Sequence, residues 1–228
     1  MVSLREGEVL DDLLIDGAKI IQNVNGYRFT SDSVLLSRFA RAKAADVVAD
    51  FCAGCGIVGL HYYLLHRDTT KSVTFFEMQS DLLSMATRSV EYNGFRDTFN
   101  AVCCKIQEIP SSFAGKFSLI LCNPPYEKGG FTVAEKSKAI CRKEIHLTLS
   151  DLAAAAAKCL KFGGRLCICH RADRSAEVIC TLHENGIEPK RLCFVSGKAK
   201  EKPYLVLVEG VRGGKSGVEV LPSIVNQS

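Results

Sequence analysis

The stretch DFCAGCGIVGL, residues 50–60, joins an apolar, strand-like run to a segment of helical length through a glycine-rich turn. Gly54, Gly56 and Gly59 carry no side chain, so the backbone of this turn can approach a ligand closely. The next strand-like run ends in Glu77, about twenty residues further on, where a carboxylate can accept hydrogen bonds from ribose hydroxyls. The turn and the acid together predict a nucleoside-binding site.

Strands and helices are predicted to alternate on both sides of this turn. Strand-like runs occupy residues 46–52, 72–77, 99–104, 117–122 and 165–170. Amphipathic or alanine-rich segments of helical length lie between most of them, at residues 57–66, 80–94 and 151–164. This alternation predicts an α/β fold with a mostly parallel sheet and helices on both faces.

The two ends of the chain depart from this alternation. RLCFVSG (191–197) and YLVLVEGV (204–211) are separated by a loop too short for a crossover helix, so we expect an antiparallel C-terminal hairpin. A seven-stranded Rossmann-like sheet with such an ending is typical of class I methyltransferases. Residues 1–45 contain a predicted helix at 30–42. We expect them to form a helical extension that packs on a catalytic domain of residues 46–228, within a single domain overall.

The composition fits one soluble domain of ordinary size, because 47% of the 228 residues are hydrophobic, 24% are charged and the net charge is only +4. No secretory signal and no membrane-spanning stretch is expected. The eleven cysteines include a CxxC pair, Cys52 and Cys55, but no second pair of that spacing. We therefore expect cysteines that pack in the core of a reduced, cytoplasmic protein, with no bound metal.

The glycine spacing alone leaves two nucleoside ligands open. The sequence from Gly54 reads GCGIVG, which also suits the pyrophosphate of a dinucleotide at a helix N-terminus. A site for S-adenosylmethionine requires, in addition, a reaction centre at the end of the fourth strand. The rest of the chain therefore decides between the two ligands.

LILCNPPYEKGG, residues 119–130, supplies such a centre where the fourth strand ends. The amide oxygen of Asn123 and the carbonyl of Pro124 are two acceptors for the hydrogens of an exocyclic amine, while Pro124 and Pro125 stiffen the loop that aims them. Tyr126 can stack on a flat substrate such as a flipped base. The motif therefore predicts methylation of a planar amine, with these four residues as the catalytic set.

These residues resemble the amino-methyltransferases that carry an (N/D/S)PP(Y/F/W) motif. The segments NGYRFTSDSVLL (25–36), RKEIHLTLSDL (142–152) and KPYLVLVEGVRGGK (202–215) narrow the resemblance to the bacterial tRNA1(Val) (adenine(37)-N6)-methyltransferase family. It extends over about residues 8–222. The resemblance implies an S-adenosylmethionine-dependent enzyme that methylates the N6 amine of an adenine in tRNA.

The resemblance also implies roles for individual residues. The cofactor would be bound by Thr30, Asp32, Asp50, Cys52, Ala53, Gly54, Gly56, Glu77, Met78, Lys105, Ile106 and Asn123. Within this set Gly54 and Gly56 would hold the methionine part and Glu77 the ribose. Lys128, Arg142 and His146 would contact phosphates of the substrate RNA.

Two positions depart from the family pattern. Cys52 stands where the pattern has its first glycine, and Lys105 stands where many relatives have an aspartate facing the adenine amino group. Either the register after the third strand differs by one residue, or the backbone near Ile106 supplies that hydrogen bond.

Other functions share parts of the pattern. A glutamine-N5 protein methyltransferase has the same NPPY chemistry but usually a separate N-terminal helical domain, for which residues 1–45 are too short. A different N6-adenine RNA or DNA methyltransferase, or a silent binding module that keeps the fold, stays open. No segment indicates an oligomeric interface, which leaves the oligomeric state open and favours a monomer.

Overall fold

The computed structural model describes residues 2–26, 30–125 and 147–226 of the chain. Among these residues, two strands form a hairpin and nine form a second sheet. The strands are β1 (Glu8–Asp12), β2 (Lys19–Asn23), β3 (Asp46–Phe51), β4 (Thr70–Glu77), β5 (Phe99–Cys103), β6 (Phe117–Cys122), β7 (Leu160–Arg171), β8 (Ile187–Ser196), β9 (Leu205–Arg212), β10 (Glu219–Val220) and β11 (Ile224–Val225). The α-helices are α1 (Ser31–Phe39), α2 (Ile57–Leu65), α3 (Ser80–Tyr92), α4 (Leu149–Cys159) and α5 (Ser175–Glu184).

The centre of the large sheet is parallel, in the order β7-β6-β3-β4-β5. Helices α1, α2 and α3 cover one face, and α4 and α5 cover the other. Neighbouring residues of β6 alternate between the two cores, with Leu119 in one and Ile120 in the other. A strand covered on both faces is predominantly apolar, which explains the run FSLILC, whose one polar residue is Ser118. The predicted α/β fold with a mostly parallel sheet is confirmed.

The end of the sheet is antiparallel, as predicted. β9 pairs antiparallel with both β7 and β8, so β8 again runs in the direction of the parallel strands. The seven long strands of the sheet are the seven expected from the sequence. β10 and β11 are additional strands of two residues each, and both pair with the outer edge of β8. They cover backbone groups that an edge strand would otherwise leave unpaired.

The N-terminal segment is not wholly helical, in contrast to the expected extension over residues 1–45. α1 lies within the predicted helix at 30–42, but β1 and β2 form an antiparallel hairpin before it. Consecutive residues Ile20 and Ile21 are both fully buried, so β2 lacks the alternation that identifies a half-buried strand. The backbone N–H of Ile21 donates to the Ser89 hydroxyl at 2.9 Å, which fixes the hairpin on α3.

Two buried arginines hold the C-terminal end of α1 against the sheet. The guanidinium of Arg191, in β8, lies 4.5 Å from the centre of the Phe39 ring and donates to Glu209 at 2.9 Å. Arg165, in β7, donates to the backbone carbonyl of Arg41 just after the helix. These contacts fix α1 so that its N-terminal residues reach the ends of the central strands.

Candidate active site

An open cleft lies at the carboxyl ends of β3, β4, β5 and β6. Ligands of open α/β sheets bind at this edge. Nine residues selected from the sequence line the cleft: Cys52, Ala53, Gly54, Glu77, Met78, Lys105, Ile106, Asn123 and Pro125. The loops after four different strands therefore bring the predicted glycine turn, acid and NPP segment together.

The turn after β3 depends on left-handed backbone conformations. Gly54 has φ 57° and Gly56 has φ 85°, which a residue without Cβ adopts at little cost. A Cβ on Gly56 would lie 2.8 Å from the Cβ of Ala86, so this glycine packs the turn closely on α3 rather than lining the cleft. Cys52, where the resemblance led us to expect glycine, also has a positive φ, 57°. A left-handed conformation at a residue with a Cβ costs about 1 kcal/mol.

The Glu77 carboxylate, at the end of β4, closes the glycine turn. Oε2 accepts the backbone N–H of Gly54 at 2.9 Å, and Oε1 accepts that of Gln79 at 2.9 Å. Burial raises the pKa of Glu77, and these backbone N–H groups oppose that effect because they stabilise the ionised form. Each carboxylate oxygen has a further lone pair, so Glu77 can also accept hydrogen bonds from a ligand in the cleft.

Asp50 lies behind the turn, outside the wall of the cleft. Its side chain is fully buried: Oδ2 accepts the backbone N–H of Gly59 at 2.8 Å, and Oδ1 has no hydrogen-bond partner among the described residues. Burial raises the pKa of Asp50 to about 8, and the nearby Glu77 carboxylate adds to the increase. Asp50 thus fixes the first turn of α2, and its contact with the methionine part of a cofactor stays a prediction.

Asn123, Pro124 and Pro125 directly follow β6. Nδ2 of Asn123 donates to the hydroxyl of Ser33 at 3.0 Å, and Oδ1 accepts from the thiol of Cys169 at 3.0 Å. Asn123 and Pro125 line the cleft, while Pro124 and Pro125 line a small neighbouring cavity. The carboxamide proposed to hold a substrate amine is therefore in the wall of the same cleft as the glycine turn.

Lys105 lies two residues after β5, where the resemblance led us to expect an aspartate. Its ammonium lies 3.1 Å from Oε1 of Glu108, and both side chains are exposed, so this ion pair contributes little stability. The side chain of Ile106 is buried and offers the cleft an apolar surface. The hydrogen bond from the backbone near Ile106 to an adenine amino group stays a prediction.

Some predicted site residues lie elsewhere. Thr30 precedes α1 as its N-cap and Asp32 is buried in the first turn of that helix, but neither lines the cleft. The remaining predictions fall outside the described residues: Tyr126, Lys128, Arg142 and His146.

The cleft also contains residues that the sequence did not single out: Ser33, Ile57, Val58, Phe76, Gln79, Leu82, Cys104, Gln107 and Leu147. Several of them are chain neighbours of predicted residues, as Gln79 is of Met78, and could have been included on that ground. Ser33 belongs to α1 and Cys169 to β7, and only the tertiary structure brings them to Asn123.

The cysteines of the described residues are free thiols, and six of them are buried: Cys55, Cys122, Cys159, Cys167, Cys169 and Cys193. Residues 2–26, 30–125 and 147–226 contain no group of three histidine, cysteine or acidic side chains placed to hold a metal ion. In the same part of the chain, no helix combines the length and the apolar character needed to cross a membrane.

The sheet is mostly parallel, and β9 runs antiparallel to its two neighbours. A glycine turn and a buried acid lie at the ends of adjacent strands. These features define a class I S-adenosylmethionine-dependent methyltransferase. TYW2 of P. horikoshii, solved in complex with MeSAdo, has this fold. It superimposes with a TM-score of 0.64 at 15% identity, over 92% of this chain and 73% of TYW2. The chain belongs to the methyltransferase small domain family, whose model matches residues 30–185.

Two curated relatives carry the name tRNA1(Val) (adenine(37)-N6)-methyltransferase. The relative from Tolumonas auensis is 24% identical over 180 residues, which cover 78% of this chain and 73% of the relative. The relative from Shewanella putrefaciens is 26% identical over 141 residues, which cover 61% of this chain and 58% of the relative. The resemblance predicted from the sequence is thereby confirmed.

The cleft fits S-adenosylmethionine, the cofactor of this class. The spare lone pairs of Glu77 suit ribose hydroxyls, and Gly54 leaves the backbone open to a ligand. Leu82 and Ile106 provide apolar surface for an adenine ring. When bound, the cofactor supplies an activated methyl group on a sulfonium.

Proposed function

We propose that this methyltransferase acts on the exocyclic N6 amine of an adenine in tRNA, with adenine 37 of a valine tRNA as the expected target. The names of the two relatives support this substrate. The observation that carries the proposal is the carboxamide of Asn123 in the wall of the cofactor cleft. An amide oxygen at that position can accept an N–H of a planar amine and so hold the amine against a methyl donor.

The residues of the NPP segment act by orientation. Oδ1 of Asn123 and the carbonyl of Pro124 accept the two N–H hydrogens of the amine, which turns its lone pair away from conjugation with the ring. The two prolines restrict the backbone that carries both acceptors. Because the methyl donor is already activated, positioning supplies most of the rate enhancement, and a strong general base is not required.

The RNA is held by groups outside the cleft. Lys128, Arg142 and His146 are proposed to contact its phosphates, which dominate the affinity of proteins for nucleic acids. A tRNA substrate also implies action in the cytoplasm. We propose that the protein acts as a monomer, because no segment of the sequence indicates an oligomeric interface.

The test is transfer of labelled methyl groups. The protein is incubated with labelled S-adenosylmethionine and total RNA from cells that lack this enzyme, and the nucleosides are then separated. We expect label in N6-methyladenosine, and fractionation of the RNA should place it in a valine tRNA.

Two controls make the result specific. A parallel reaction with the corresponding protein extract tests the glutamine-N5 alternative, and a reaction with genomic DNA tests a DNA adenine substrate. Label confined to protein or to DNA would reject the tRNA proposal, as would label in an RNA nucleoside other than N6-methyladenosine.

A further inference from the structure

The carboxamide of Asn123 is held from two sides by residues of different elements. Ser33, from α1, accepts the Nδ2 hydrogen at 3.0 Å, and Cys169, from β7, donates its thiol hydrogen to Oδ1 at 3.0 Å. Ser33 is 1% exposed and Cys169 is fully buried, so both partners of the carboxamide are held within the protein. The two hydrogen bonds therefore fix the plane of the amide, and they also fix which way its oxygen and its nitrogen point.

The chemistry of the two partners agrees with this orientation. Burial raises the pKa of the Cys169 thiol well above its ordinary value, so it stays protonated and can donate to an amide oxygen. An amide nitrogen only donates, and the Ser33 hydroxyl can accept from it. The sheet register places Cys169 beside Asn123, because Ile168 of β7 pairs with Cys122 of β6.

The orientation matters for catalysis because the two ends of an amide are opposite in hydrogen-bonding character. An amide oxygen has two lone pairs, so Oδ1 can accept from Cys169 and still accept one N–H of the substrate amine. An amide rotated by 180° would present N–H groups to the N–H groups of the substrate. Such an arrangement leaves polar groups without partners and does not hold the amine.

We infer that Ser33 and Cys169 are positioning residues that fix the carboxamide of Asn123 with its oxygen available to the substrate amine. Ser33 is the stronger of the two, since an N–H···O bond to a hydroxyl is stronger than an S–H···O bond. The inference rests on the proposed amine methylation and adds the N-terminal helix α1 to the machinery of the reaction.

The test compares matched serine and cysteine variants. Ser33→Ala should lower kcat by about 10- to 100-fold while the Kd of S-adenosylhomocysteine and the KM of the RNA change less than threefold. Ser37→Ala is the serine control, because Ser37 lies one turn further along α1, is equally buried and bonds His61 instead. Cys169→Ala should lower kcat by about 3- to 10-fold. Cys167→Ala, on the same strand and in the same core, should leave it unchanged.

A second readout follows the amide itself. The side-chain NH2 signals of Asn123 in a ¹⁵N spectrum are identified by their loss in Asn123→Asp. They should shift in Ser33→Ala and stay in place in Ser37→Ala. Thermal unfolding of each pair of variants shows whether the fold is retained. Ser33→Thr keeps the hydroxyl and should recover most of the lost kcat.

The outcomes separate this inference from the proposed function. A wild-type protein that methylates no adenine in RNA overturns the proposed function. The NH2 signals then test independently whether Ser33 fixes the carboxamide of Asn123. With an active wild type, a kcat of Ser33→Ala within threefold of the wild-type value overturns the inference. So does an equal loss in Ser37→Ala, or a loss that arises entirely from weaker S-adenosylhomocysteine binding.

Discussion

The two ends of β3 carry buried aspartates that differ in how fully they are hydrogen-bonded. Asp46, at the amino end, is paired with Arg165 at 2.8 Å and accepts hydrogen bonds from the Ser118 hydroxyl and the Lys43 backbone at 2.7 Å each. Asp50, at the carboxyl end, accepts one backbone N–H, and its other oxygen has no partner in the part of the chain that the structure describes. Both side chains are almost completely buried, so burial alone does not distinguish them.

The difference separates a structural end of the sheet from a functional one. At the amino end the polar groups of the network satisfy one another, and little hydrogen-bonding capacity is left for a ligand. At the carboxyl end Glu77 and Asn123, both in the wall of the cleft, keep lone pairs that can accept hydrogen bonds from a ligand, while Asp50 supports the glycine turn from behind. Hydrogen-bonding capacity that faces the cleft, rather than burial of polar groups alone, distinguishes this end of the sheet from the amino end.

The largest expected effect is at the carboxyl end. Asn123→Ala removes the acceptor for the substrate amine, and we expect kcat to fall by about 10³-fold. The Kd of S-adenosylhomocysteine, measured by calorimetry, should change by less than about threefold, because Glu77 and the glycine turn remain. Turnover close to the wild-type value would remove Asn123 from the reaction.

The second prediction concerns the amino end and should affect stability without weakening cofactor binding. Arg165→Met leaves Asp46 buried without its charge partner, and we expect a loss of about 3 kcal/mol in the free energy of unfolding. Arg171→Met is the matched control, because the ion pair of Arg171 with Asp173 is exposed, and it should cost less than about 1 kcal/mol. Urea unfolding measures both. A cofactor Kd weakened tenfold in folded Arg165→Met would contradict the separation of the two ends.

The third prediction uses the raised pKa of Asp50, which is about 8 in the folded protein against an ordinary value of 3.8. The folded chain keeps a proton that the unfolded chain releases, so the free energy of unfolding should fall as pH rises from about 4 to about 8. Asp50→Asn removes this contribution. Relative to that of the wild type, the free energy of unfolding of the variant should rise by up to about 1.4 kcal/mol per pH unit within that window.

Urea unfolding of both proteins at several pH values checks this prediction. Asn keeps an oxygen that can accept the Gly59 N–H, so the first turn of α2 should persist in the variant. Parallel pH profiles of wild type and Asp50→Asn would show that Asp50 is ionised in the folded protein.

The smallest expected effect is at Cys52, whose left-handed φ of 57° disfavours a side chain. Cys52→Gly should raise the free energy of unfolding by about 0.5–1 kcal/mol, since glycine adopts this conformation without strain. Ala53→Gly, one residue on and without a positive φ, is the control and should destabilise. Thermal melting distinguishes the two, and a lower melting temperature for Cys52→Gly would indicate that the thiol makes stabilising contacts.

Much of the fold could be predicted because its signals are local. The alternation of strand-like and helical segments indicated a sheet covered on both faces, and the short loop before Tyr204 indicated the antiparallel ending. The hairpin β1–β2 was missed because Ile20 and Ile21 are buried side by side on a segment that packs against α3. Burial of adjacent residues removes the periodicity from which a strand is recognised.

The sequence predicted only those site residues that are close together in the chain or that lie at the end of a strand. The glycine turn, Glu77 and Asn123 are such residues, and the structure brings them to one cleft. The hydroxyl of Ser33 and the thiol of Cys169 reach Asn123 from sequence distances of 90 and 46 residues. Serine in a helix and cysteine in an apolar strand carry no local sign of such a partner.

The contact between Arg191 and the backbone of Phe39 joins residues 152 positions apart in the sequence. During synthesis α1 therefore leaves the ribosome long before the residue that holds its end against the sheet. The helix that carries Ser33 cannot be fixed by this contact until 152 further residues have been added after Phe39. Contacts of such long separation slow folding, so cofactor binding should develop only with the last steps of the folding reaction.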